Sequence, residues 1–201
     1  MLPAVVKSLF IYIVPLNYFF GEYNVGLHYL IKEQWAADFN TGYIYQYEGS
    51  PADQLYNDVF NFDKINYQGP FLRAGIVSLY HSGINPLRTD YYEFELLYRY
   101  LFYHNVDFAD ESEPGKVFNM SETTNAVGLS WIAGYILING EHFQLDAFGG
   151  FGLQFQFREI TINSYGYDFQ SDQILLNDRH HATRYLPMLN AGLRIGFKKN
   201  L

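Results

Sequence analysis

The chain has 201 residues, a net charge of −8, 19 Tyr and 18 Phe, and no cysteine. That length suits a single all-β domain, and the acidic balance argues against nonspecific nucleic-acid binding, which runs on clustered Lys and Arg; without thiols there is no disulfide framework, thiolate metal site or Cys nucleophile. No window approaches the roughly 18 consecutive apolar residues of a transmembrane helix, a test that says nothing of a membrane barrel, whose signal is alternation.

In chain order, Lys7 followed by Ser-Leu-Phe-Ile-Tyr-Ile-Val has the charge and apolar run of a secretory signal. No small-x-small cleavage site follows, and Pro15, Asn17 and Tyr18 intervene. We read Lys7 to Pro15 as a first strand, apolar on both sides so that its facing is open, and expect any signal peptide to lie outside this numbering. A short link from Asn17 to Glu22 leads to a second strand, Tyr23 to Ile31, where Tyr23, Val25, Leu27, Tyr29 and Ile31 oppose Asn24, Gly26, His28 and Leu30. Lys32 to Gln34 is a tight connection. The third strand, Trp35 to Tyr47, sets Trp35, Ala37, Phe39, Thr41, Tyr43, Tyr45 and Tyr47 against Asp38, Asn40, Gly42 and Gln46. With a turn centred near Glu33, His28 falls opposite Asp38, Asn24 opposite Gly42, and Gly26 opposite Asn40.

Glu48 to Gln68 is polar, carries Gly, Ser, Pro, Asn and Asp, and reads as a long loop. The fourth strand is Pro70 to Tyr80; Gly83, Asn85 and Pro86 turn the chain; the fifth strand is Asp90 to Tyr103. His104 to Glu122 reads as a second long loop, acidic around Asp107 to Lys116. The sixth strand, Thr123 to Ile138, meets the hairpin dipeptide Asn139-Gly140. The cleanest alternation in the chain follows, from His142 to Arg158: Phe143, Leu145, Ala147, Gly149, Phe151, Leu153, Phe155 and Phe157 share one face. No helix sits still on that pattern, and at about 3.3 Å per residue it extends roughly 50 Å, far beyond an ordinary strand. Glu159 to Arg184 reads as a third long loop, and Tyr185 to Phe197 as the last strand.

This predicts an eight-stranded antiparallel up-and-down β-barrel in one domain over residues 1–201, with short turns and both termini at one end and long loops at the other. Alternation alone does not say which face points inward, and a soluble lipocalin-like ligand-binding barrel has the same period with the opposite sense. Glycine decides the matter, since Gly26, Gly42, Gly75, Gly128, Gly134, Gly150, Gly152, Gly192 and Gly196 lie on the polar face, where a narrow interior needs small residues. The opposite face is large and aromatic, with tyrosines near strand ends like the girdles at membrane interfaces. The apolar face is therefore expected to meet lipid.

In the last strand, Asn190, Gly192, Ile195 and Phe197 are spaced as polar, any, Gly, any, any, apolar, any, aromatic. This resembles the C-terminal signal that outer-membrane barrels present to their assembly machinery, although Lys198 to Leu201 follow it. The chain as a whole resembles the small eight-stranded outer-membrane barrels of the OmpA transmembrane-domain and OmpX type. The resemblance implies short periplasmic turns, long extracellular loops, and the outer membrane of a Gram-negative bacterium as location; it carries no activity.

The inner face is expected to hold a charge network of His28, Asp38, Arg73, Glu93, Glu95, Arg99, Asp146 and Arg194, with Arg158 beside it, filling the lumen by ion pairs. A proton path or a catalytic carboxylate is the sharper alternative. His180 and His181, flanked by Asp178 and Arg179, could build a metal site or a general base, but adjacent residues of an extended chain point to opposite sides. Ser82 beside His81, and Ser130, reproduce no recognisable triad, so no catalytic residue, metal or cofactor is assigned. Tyr56, Phe60, Phe62, Phe108, Phe118, Tyr167 and Phe169 are aromatic groups in the loops that need each other or a partner. The expectation is a noncatalytic barrel, accessory or structural in a larger outer-membrane assembly, with lipid, the assembly machinery and another outer-membrane protein as partners. The alternative is a lipid-modifying enzyme of the lipid A deacylase or acyltransferase type, marked by a His beside a Ser or carboxylate at the rim.

Overall fold

The computed structural model describes residues 8–19, 21–32, 34–45, 67–81, 89–109, 116–166 and 174–200. Eight strands, β1 (Ser8–Ile13), β2 (Glu22–Lys32), β3 (Trp35–Tyr45), β4 (Gln68–His81), β5 (Thr89–Ala109), β6 (Lys116–Asn139), β7 (Phe143–Gly166) and β8 (Ile174–Asn200), pair in chain order as an antiparallel closed barrel. A single helical turn, α1 (Pro15–Phe19), joins β1 to β2. Alternating β-branched and aromatic residues favour the pleated, half-covered surface that each strand needs. β1 closes the ring against the end of β8, pairing Ser8 with Asn200 and Ile13 with Ile195, so the described chain ends meet at the end that carries the connections 33–34, 82–88 and 140–142.

The register determines the shape. Crossing the ladder from Phe143 leads through Phe197, Ile11, Leu27, Phe39, Ala74, Leu96 and Leu129 back to β7 at Leu153, so one circuit climbs from residue 143 to residue 153. For eight strands that stagger corresponds to a tilt of about 40° and an interior just wide enough for side chains. Every residue on the circuit faces outward. Neighbours in sequence show the inversion most sharply: Asp38 is 1% exposed and Phe39 53%, while Glu93 is 1% exposed and Phe94 57%. Between Tyr92 and Tyr100 the outward face of β5 covers about 20 Å of height at that tilt and rise, and Trp35, Tyr80, Tyr92 and Tyr135 lie toward the short-turn end, Tyr23, Tyr43, Tyr45, Tyr98 and Tyr100 toward the other.

Several boundaries differ from the sequence reading. The spans 104–122 and 159–184, expected to be long loops, are largely strand: β5 and β6 continue as paired rungs to Phe108↔Phe118 and Ala109↔Val117, and β7 and β8 to Tyr165↔Ile174. Polar composition reads as loop, but beyond the apolar belt both faces of a hairpin can be wet, and a ladder with satisfied backbone bonds is stable there without alternation. β1 is shorter than expected, and its facing is now defined. Phe10 and Tyr12 turn inward with Val14, whereas Ile11 and Ile13 face out. Tyr12 fits because Gly26 opposes it; a Cβ on Gly26 would lie 2.1 Å from the Tyr12 ring. Instead of a plain link, α1 starts at Pro15, whose fixed φ suits a first helical turn and whose missing N–H ends the ladder. The Asn24 Oδ1 accepts the Val14 N–H at 3.0 Å, and Gly21, at φ 72°, closes the turn by donating to the Tyr18 carbonyl at 3.1 Å.

Candidate functional site

The lumen collects the charged groups in tiers. Nearest the short-turn end, Arg194 on β8 donates to the Glu93 Oε2 at 2.6 Å and to the Tyr91 hydroxyl at 3.4 Å. Its guanidinium also lies 4.9 Å from the Phe148 ring centroid and 5.1 Å from that of Tyr12, so the cation is held between a carboxylate and aromatic faces. Tyr12 donates to the Asp38 Oδ2 at 2.7 Å, and the His28 Nδ1 stands 3.6 Å from the other Asp38 oxygen, the β2–β3 register placing the two residues opposite each other. Asp146 lies across the ladder from Arg194 and accepts from the Gln144 amide at 2.9 Å. Ser130 donates to Glu95 at 3.0 Å, which makes it a lumen hydrogen-bond partner rather than a nucleophile beside a base.

The middle tier is organised by Glu22, which sequence reasoning places in a link. Its carboxylate takes Arg73 at 2.5 Å, Arg99 at 3.1 Å and the Asn17 amide at 3.1 Å, tying β2, β4, β5 and α1 together. Above it lies a third tier that sequence reasoning also misses as such. Glu122, buried, receives the Arg158 Nε and, at 2.5 Å, its Nη2, with Thr124 donating at 2.9 Å and Tyr67 at 3.1 Å. Burial, with Glu122 beside it, pushes the Tyr67 phenol upward, so it remains a proton donor to that carboxylate. The parity of Glu22 against Asn24, and of Glu122 against Thr124 and Ala126, is the signal that could have found both. Between the tiers sits an apolar cluster of Ile44, Phe71, Leu97 and Leu101, with Tyr67 and Met188 packed on it.

The carboxylates of Glu22, Asp38, Glu93, Glu95, Glu122 and Asp146 thus outnumber the guanidiniums of Arg73, Arg99, Arg158 and Arg194 around them, and His28 stands beside Asp38. Chemically, Glu22, Glu93 and Glu122 are ion-paired with guanidiniums, whereas Asp38, Glu95 and Asp146 are held by hydrogen bonds from Tyr12, Ser130 and Gln144. The set fastens the wall from inside.

His180 and His181 lie in β8, not in a loop, opposite Ile160 and Glu159 and on opposite faces. Glu159 is engaged by the Arg179 Nε at 3.2 Å on the outer surface. Of the assembly-signal residues, Asn190 and Gly192 point inward, Ile195 and Phe197 outward, and β8 continues past Phe197 to pair Lys198, Lys199 and Asn200 with β1. Phe108 and Phe118 form a rung near the tip of β5 and β6; Tyr56, Phe60, Phe62, Tyr167 and Phe169, like Ser82, lie outside the described residues.

No protein-family model and no curated protein matches the chain. Among solved structures, a major outer membrane protein from Thermus thermophilus aligns over 98% of this chain and 100% of that chain, at 12% identity and a TM-score of 0.49. At that score the likeness adds nothing to what the strand register itself shows.

Proposed function

We propose that the chain is an integral outer-membrane β-barrel with a filled lumen and no catalytic role. The observation that carries this reading is the inverted wall: Leu27, Phe39, Ile76, Phe94, Leu129 and Phe151 are exposed on the outside of a barrel whose buried interior holds Asp38, Glu93, Glu95 and Arg194. At about 25 cal/mol per Å² of apolar surface, a soluble chain would forfeit its largest driving force by this arrangement, and lipid restores it. The barrel's closure satisfies the strand edges that a bilayer would penalise, apart from the part of β8 that β1 does not reach. The same reading puts the chain in an outer membrane, that of a Gram-negative bacterium, and what supports it is that lipid-exposed barrels of this form belong to outer membranes. The two tryptophans supply a test. Trp35 and Trp131 both face outward, so in vesicles of phosphatidylcholine carrying bromine on its acyl chains their emission should fall strongly. Unquenched emission from a chain that stays folded and soluble without detergent would reject the membrane reading.

The finer part of the proposal is that the barrel is an accessory or structural component whose upper sheet meets another outer-membrane protein. What supports it is height: β5 to β8 run 21 to 27 residues, well past the apolar belt that β2 and β3 span with 11. Gentle extraction from native membranes should bring down a stable companion, and extraction as a monomer without one speaks against that role.

A further inference from the structure

β1 has 6 residues and β8 has 27, so the seam that closes the barrel covers only the last part of β8. Pairing with β1 stops at Ile13↔Ile195, and among the described residues no strand lies against Ile174 to Arg194 on that side. The bare edge begins inside the apolar belt, since Leu193 and Leu189 face outward on the same side as Leu153 and Phe151 of β7. The direction of its polar groups follows from one bond. Lys198 donates its N–H to the His142 carbonyl, so even-numbered residues of β8 bond β7 and odd-numbered ones face the seam. The backbone groups of Leu189, Ala191 and Leu193 therefore point into the opening, together with the carbonyl of Pro187.

α1 stands beside this edge where further rungs of β1 would have run, with Tyr18 stacked on Tyr23 at 5.4 Å, but no backbone bond joins it to β8 among the described residues. Leu189, 89% exposed, touches almost nothing. A pairing strand from a second protein is disfavoured, because Pro187 removes a donor in the middle of the edge and proline is how strands decline such partners. What lies directly behind the edge is apolar: Met188 reaches inward from it, packs on the cluster of Ile44, Phe71, Leu97 and Leu101, and covers two glycines. A Cβ on Gly128 would stand 2.8 Å from the Met188 Cε, and one on Gly152 2.9 Å from the same atom. The thioether thus fills a slot that those glycines leave vacant, and an unbranched flexible side chain can leave it at small cost. The Asn190 Nδ2, buried without a partner just below, adds a donor at the slot's polar end.

We propose that this opening admits one hydrocarbon chain of a membrane amphiphile, which displaces Met188 and lies along Gly128 and Gly152 against the Phe71–Leu97 cluster. The proposal rests on the membrane reading above. The chain has no cysteine, so single thiols report access cleanly. Met188→Cys, the outward Leu129→Cys and the buried lumen residue Ser130→Cys would each be folded into palmitoyl-oleoyl-phosphatidylcholine vesicles and exposed to N-dodecylmaleimide, with adducts read by intact-protein mass. Met188→Cys should label nearly as fast as Leu129→Cys and about tenfold faster than Ser130→Cys, since apolar surroundings hold the first two thiols protonated alike and leave access of the lipid-borne reagent as what separates them from the third. Leu186→Cys, the next inward residue on β8, reads the same opening if Met188→Cys folds poorly. Slow labelling at 186 and 188 with fast labelling at 129 overturns the proposal, because it means the edge is covered by the chain itself. Labelling of Leu129→Cys by a charged maleimide that cannot enter the bilayer instead overturns the membrane reading. Oxidative dimers of Leu189→Cys at low protein density would also overturn it, by showing a second copy on the edge.

Discussion

At the residue scale, Arg194 is the group on which the lower lumen depends. It is the cation shared by Glu93, Tyr91, Tyr12 and Phe148, and Asp146 faces it across the ladder. Replacing it strands a buried carboxylate, which costs about 3–5 kcal/mol when one partner of a buried pair is removed. Arg194→Met should therefore lower the unfolding free energy of the vesicle-inserted protein, read from urea titration, by about 3–5 kcal/mol, and adding Glu93→Gln should recover much of the loss. Equal stability of the single and double variants would show that the pair is not coupled. Phe197 presents the opposite case. It is 76% exposed on the outer wall, beside Ile11 and Phe143, so its truncation removes little packing. Phe197→Ala is expected to reduce the folded protein found in the outer membrane while refolding into detergent stays near normal; equal losses in both would make it an ordinary packing residue.

The elements differ in how firmly they are held. β6, β7 and β8 share ladders of more than twenty rungs, whereas β1 is tied to β2 and β8 by a handful and gives way at Val14. Backbone opening follows the density of such ties, so the amides of β1 and of the last rungs of β8 should exchange with deuterium before those of the β6–β7 hairpin inside the belt. Exchange from β1 as slow as from β6 would mean that α1 and the Tyr12 cluster hold the seam more tightly than its rungs suggest. This unevenness also explains why the second and third long loops of the sequence reading are strand in the fold. Residues 104–122 and 159–184 carry mixed polar sequence, and only the partner strand, rung by rung, makes them β.

For the whole molecule, stagger and filling together decide permeability. Eight strands with the stagger seen here leave room for side chains, and Tyr12, Tyr91, Phe148, Arg194 and the two upper carboxylate tiers occupy it. Reconstituted in planar bilayers, the protein should show no sustained conductance step at neutral pH. A stable ohmic channel would demonstrate that the network of Glu22, Arg73 and Arg99 opens in the membrane. The tiers tie strands that are far apart in sequence, Glu22 on β2 to Arg99 on β5 and Glu93 on β5 to Arg194 on β8, and so brace the barrel across its interior.

Alternation by itself determined most of this architecture, because inside the belt each strand separates two unlike media and every second residue must suit one of them. The strand count, the inward set from Asp38 to Arg194, and the His28–Asp38 register were legible for that reason. Where the two media are alike, the pattern disappears and tertiary structure decides. β1 packs aromatic residues inside and aliphatic ones outside, so its facing required Gly26 across the ladder. Above the belt both faces are wet, so Glu122 looked like loop until Arg158 and Tyr67 closed on it. The bare edge of β8 belongs to the same class, since an unpaired strand and a paired one have the same alternation, and only the shortness of β1 exposes the difference.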